Sequence, residues 1–250
     1  STVGTTPSSP SFTTSDVPIN MTAAPNIYEH RSLAAKGEAV ETAITGIDIT
    51  GNMSGTLVYG AYDTFFESLL QGAYSTNVLK SAKATKSVTV ENAINAGVGG
   101  TLTMMRYTGV EATGGSISLA SNSDIQFNFD LIGMGSLDTT TSAIGSSSYT
   151  DQTERAPLTS GVDVGTIAFA GYTLDAFESA TINFNYDGRE AQTKLGSSFT
   201  KDGITKGALL PEITARVYVD TNFATLYNAA RDTNHSLFAV TFPLGSVSGK

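Results

Sequence analysis

The chain has 250 residues, enough for one or two domains with a substantial core. It has no Cys and no Trp, which excludes disulfides and thiolate metal sites and fits a reducing compartment or a protein that does not use thiols. A formal charge of −9 argues against a protein that grips a nucleic-acid backbone, since such grips rest on Lys and Arg.

Residues 1–20 are rich in Ser and Thr and contain Pro7, Pro10 and Pro18. They read as a flexible or extended arm ahead of a single domain over 21–250. With no basic start and no apolar core, they do not read as a signal peptide, and Ser1 suits a cytoplasmic product that has lost its Met. A weak helical patch around Arg31–Val40 is broken by Gly37. Ile44–Thr50 and Gly55–Tyr59 read as strands joined by a turn at Gly51-Asn52.

Next comes a stretch that occurs twice. At Asp63 the chain reads DTFFESLLQGAYSTN, and 157 residues later, at Asp220, DTNFATLYNAARDTN. Phe66, Leu69, Leu70 and Ala73 fall at i, i+3, i+4 and i+7, one face of a helix. Phe223, Leu226, Tyr227 and Ala230 repeat that spacing. Asp63 and Asp220 stand where an N-cap would. Helices of about 11 residues are marginal alone and need a surface. The unit is therefore strand, helix, strand, used twice.

Lys86–Ile94 reads as a strand, as do Leu102–Val110 and Ser116–Ala120, with Gly114-Gly115 turning between them. Asp124–Ile132 is the clearest strand. Ile125, Phe127, Phe129 and Leu131 share one face and Asp124, Gln126, Asn128 and Asp130 the other, up to Gly133-Met134-Gly135. Residues 136–160 are half Ser or Thr and read as a long polar loop, functional or disordered, between the two halves. Val164–Ala170, Thr181–Tyr186, Glu212–Val219 and Ser236–Phe242 are further strands, with a turn at Asp187-Gly188. The fold class is mainly β: a sandwich or partly rolled barrel with two short helices and an internal pseudo-repeat.

Catalytic chemistry finds no foothold. Only His30 and His235 could serve a Ser-His-Asp site, and no Gly-x-Ser-x-Gly turn exists. Gly97-Val98-Gly99-Gly100 opens no helix, so no dinucleotide site is read. The stretch from Asp48 to Asn52 lacks the twelfth-position Glu of a calcium loop, which here is Tyr59. Phe127 and Phe129 have acidic rather than basic neighbours, unlike a base-stacking platform. No cofactor, metal or catalytic residue is expected, and no stretch is long and apolar enough for a membrane helix.

Several segments together resemble the major tail tube protein of long, non-contractile-tailed bacteriophages. They are Ile27 to Ser32, Asp48 to Asp63, Lys86 to Glu91, Phe127 to Gly135, Ile182 to Ser197, and the second helix region from Tyr218 to Thr233. Members of that family usually continue with further strands past the one at Ser236–Phe242, and the resemblance therefore leads to the expectation of a shorter variant or a shortened product.

The resemblance implies a structural virion protein, assembled in the host cytoplasm into stacked rings, usually of six subunits. The resulting tube would pass viral DNA without binding it specifically and would meet the tape measure, tail tip and terminator proteins. By the same resemblance, strands line the bore, and loops and an N-terminal arm join rings. Another self-assembling shell component (tail terminator, decoration protein, secretion tube protein) and a β-sandwich binding module are the other readings.

Overall fold

A computed structural model describes residues 4–6, 10–30, 41–76, 78–95, 100–142, 148–152, 154–169, 172–173, 177–196, 199–219, 223–224, 227–228, 231 and 240–245. The chain is mainly β and its principal sheet curls into a half-barrel. Six strands run across that sheet in the order β14-β11-β5-β6-β3-β2. They are β2 (Ile19–His30), β3 (Glu41–Thr56), β5 (Leu102–Ala120), β6 (Gln126–Gly133), β11 (Phe177–Asp187) and β14 (Ala208–Val217). All of these neighbours are antiparallel. β5 is long enough to serve two partners. Its second half pairs with β6 and β11, and its first half with β4 (Val88–Asn95) and β7 (Gly135–Thr140).

Two expected turns are not turns. Gly51-Asn52 lies inside β3, and Gly114-Gly115 inside β5. The reason is spatial. A Cβ on Gly51 would stand 2.2 Å from the Asn20 carbonyl oxygen, and one on Gly115 2.5 Å from that of Asn128. These glycines admit a neighbouring strand where the sheet curls. The expected Asp187-Gly188 turn is present, with Gly188 at φ +71°.

The alternation read in 124–132 is realised. Ile125, Phe127, Phe129 and Leu131 are buried. Helix α1 (Asp63–Leu70) covers them: Phe66 meets Phe129 edge-on at 5.0 Å, and Tyr62 meets Phe127 at 4.3 Å. Such aromatic pairs add to the area they bury. The helix differs from expectation at both ends. Tyr62 occupies the cap position without a side-chain cap, and Asp63 is the first helical residue. The helix stops at Leu70 because Gln71 turns left-handed at φ 53°, so Ala73 lies beyond it.

The expected arm and loop both contain strands. β1 (Ser11–Thr13) pairs in parallel with β8 (Ser148–Thr150), and Phe12 stacks on Tyr149. Tyr149 donates to Glu91 at 2.6 Å, and Leu158 is buried, its amide donating to the Leu57 carbonyl. Polar composition hid this order because side-chain hydroxyls and backbone pairing, more than apolar faces, supply the contacts.

Short strands complete the described residues: β9 (Ala168–Phe169), β10 (Tyr172–Thr173) and β15 (Val240–Thr241) in one sheet, and β12 (Ala191–Gln192) with β13 (Gly203–Ile204) in another. Of the strand expected at Val164–Ala170 only Ala168–Phe169 is strand among the described residues, with Val164 in an isolated bridge to Leu244, and of that expected at Ser236–Phe242 only Val240–Thr241. The helical patch at Arg31–Val40, Gly97 to Gly99 and His235 lie outside the described residues.

Candidate functional site

The sheet has two different faces. Across one, paired rows run Ser54–Asn128–Ser116–Asn183–Glu212 and Thr56–Gln126–Ser118–Thr181–Thr214. This face carries hydroxyls, amides and scattered acids. Asp124 adjoins it, and the Thr56 hydroxyl that donates to its carboxylate holds it below the usual carboxylate range. Asp130 takes a hydrogen bond from Asn128 at 3.2 Å. Arg216, farther along β14, pairs with Glu178 at 3.5 Å. The opposite face, under α1, is the core.

Both outer strands leave an edge open. β2 pairs only with β3, and β14 only with β11, among the described residues. Each carries a proline, Pro25 and Pro211, which an edge tolerates and a central strand would not.

The β2–β3 pair also outruns the core. From Thr22 to Glu29 and from Thr42 to Thr45 every residue is exposed. The apolar periodicity does not stop there. Met21, Ala23, Pro25 and Ile27 alternate along β2, opposite Gly51, Ile49 and Ile47 and then, past a register shift between Asn26 and Ile27, opposite Ile44. Met21 and Ile49 are buried, yet Ile27 and Ile44 are 62% and 53% exposed. A two-stranded ribbon is marginal in water, and one that continues the core's apolar stripe into solvent is an incomplete surface.

Of the ten residues marking the repeated helices, the structure places Leu69 fully buried, Phe66 and Leu70 partly buried, and Asp63 and Ala73 exposed. Phe223 and Tyr227 are helical, with rings stacked at 6.3 Å. Asp220, Leu226 and Ala230 lie outside the described residues.

Sequence reading missed a buried cluster around the end of α1. Arg189 donates to the Ser68 and Leu69 carbonyls at 3.1 and 3.3 Å and to the Glu111 carboxylate at 2.8 Å. Tyr186 donates to the Leu69 carbonyl, and the Ser68 hydroxyl accepts the Ala112 amide at 2.9 Å. The cation thus caps the negative end of the helix. The cluster fastens α1 to β5 and to the β11 turn. Nothing local in the sequence pairs Glu111 with Arg189.

No group of three or more His, Cys, Asp or Glu that could hold a metal occurs among the described residues. No helix described is long and apolar enough to cross a membrane.

A search of curated proteins finds no match to the chain. The model of a family described as phage tail tube protein matches residues 1–250. The open-edged β sheet and the whole-length match agree with the resemblance read from the sequence: the chain belongs to the phage tail tube protein family, a non-enzymatic structural family of the virion.

Proposed function

We propose that copies of this chain close into rings, usually of six, that stack into a hollow tube through which viral DNA leaves the particle. The observation that carries this reading is the Ile27–Ile44 face, a core stripe that continues into solvent. The open edges of β2 and β14 supply backbone groups that a neighbour can pair. The polar face of the sheet then lines the channel, where fixed negative charge repels DNA. The arm over 1–20 and the loop over 136–160 link rings around the body formed by 21–250. The helices at Asp63 and Asp220 act as equivalent supports under two halves of that body. Assembly takes place in the host cytoplasm, and the tube meets the tape measure, tail tip and terminator proteins.

Negative-stain electron microscopy of concentrated protein, with size exclusion alongside, tests the reading. Stacked rings or tubes are expected, and Ile27→Asp should leave a folded monomer that forms neither. Removal of residues 1–14, which spares Val17 against Gly55, should leave rings but shorten tubes. A chain that stays monomeric even with tail-initiation components added would sink the proposal.

A further inference from the structure

The exposed Ile27–Ile44 stripe needs a cover, and the chain carries an apolar projection with no cover of its own. Between β12 and β13 the chain makes a loop whose neck is held closed. Lys194 pairs with Asp202 at 2.7 Å, and the Asp202 amide donates to the Gln192 carbonyl at 2.8 Å. The Lys201 amide donates to the Met134 carbonyl at 2.8 Å, and its ammonium reaches Asp48 at 2.5 Å. Beyond this neck Leu195 is 101% exposed and Phe199 50% exposed. Phe199 also holds φ at +68°, a region that bulky residues rarely adopt. Single exposed leucines are ordinary. An anchored neck beneath two apolar side chains, one of them on strained backbone, is not.

The position of the loop says what it can meet. Asp48 stands between Ile47 and Ile49 on β3, so it points to the face opposite theirs. Asn26, its hydrogen-bond partner at 2.9 Å, does the same on β2. The loop is therefore tethered on the polar side of the ribbon, and the Ile27–Ile44 stripe faces the other way. Among the described residues the tether and the stripe thus lie on opposite faces of the ribbon. Two copies arranged head to tail bring the loop of one against the stripe of the next, and only such unlike surfaces can close a ring.

We propose that Leu195 and Phe199 of each subunit seat on the Ile27–Ile44 face of the adjacent copy. The inference rests on the ring reading above and names the partner of its exposed stripe.

The chain contains no cysteine, so a cross-link reports cleanly. In the full chain under assembling conditions, the double variant Ile44→Cys with Leu195→Cys should give a ladder of covalent oligomers on oxidation. Either single variant alone should stay monomeric on a non-reducing gel, and an equimolar mixture of the two should give dimers. Leu195→Asp with Phe199→Asp should lower the assembled fraction at least tenfold and leave the circular dichroism of the monomer unchanged.

Covalent dimers from Ile44→Cys alone would place stripe against stripe and overturn the proposal. So would rings that form without cross-linking, or tubes unaffected by the two aspartates. Those outcomes leave the ring reading standing. A wild-type chain that never assembles removes both.

Discussion

At the scale of single residues, the buried pair Glu111–Arg189 is the most consequential contact. Both side chains are 1% exposed, and the guanidinium also serves two helix carbonyls. Breaking a buried pair strands the surviving charge, at a cost of about 3–5 kcal/mol. Glu111→Leu should therefore lower the unfolding free energy by that order in a denaturant titration. Replacing both residues with apolar ones of similar size should recover most of the loss.

Lys201 and Asn26 hold the Asp48 carboxyl below its ordinary value, and the Tyr74 amide and then Lys86 do the same for Glu67. A carboxylate depressed in the folded state favours folding above its unfolded value, and that contribution is lost as pH falls through the folded one. The loss belongs below about pH 4. Titrating wild type against Asp48→Asn should show a steeper acid-side fall in stability for wild type. Equal slopes would mean that the Lys201 tether contributes nothing to folding.

At the scale of elements, the glycines decide how the chain is read. Gly51 and Gly114-Gly115 carry turn chemistry, yet each sits mid-strand against a neighbouring backbone. Gly51→Ala should destabilise the protein by about 1–3 kcal/mol, the cost of overpacking. Its backbone φ is not left-handed, so the objection is to the added methyl and not to the conformation. Gly161, with open space around its Cβ position, is the control: Gly161→Ala should leave the melting temperature unchanged.

This explains how far sequence reading reached. Strict alternation in Ile125 to Leu131 and the i, i+3, i+4 face of Phe66, Leu69 and Leu70 are local patterns, and their burial follows from them. The length of β3 and β5, the Glu111–Arg189 clasp and the β1–β8 pairing depend on what lies across the sheet. None of these has a local signature. Asp63 falls one position past the cap for the same reason, since Tyr62 stands at the cap and packs on Phe127.

At the scale of the whole molecule, the channel proposed above raises the question of which face of the sheet would meet DNA. A channel that releases a genome must not hold it, and affinity for a phosphate backbone comes chiefly from cations that displace counterions. The face bearing Asn128, Ser116, Asp130 and Glu212 offers hydroxyls, amides and carboxylates. Asp130→Lys with Glu212→Lys reverses its sign without touching the core, since both residues are exposed.

If that face lines the channel, the variant should still form tubes. Those tubes should retain short duplex DNA at 50 mM salt, on the order of tenfold or more above wild type, and release it as salt rises, the signature of added phosphate contacts. Filter retention across a salt series reads both. If the variant fails to assemble while its monomer stays folded, the polar face is an interface between subunits. The channel would then be lined by other parts of the chain. If tubes form and DNA retention does not change, the face looks outward.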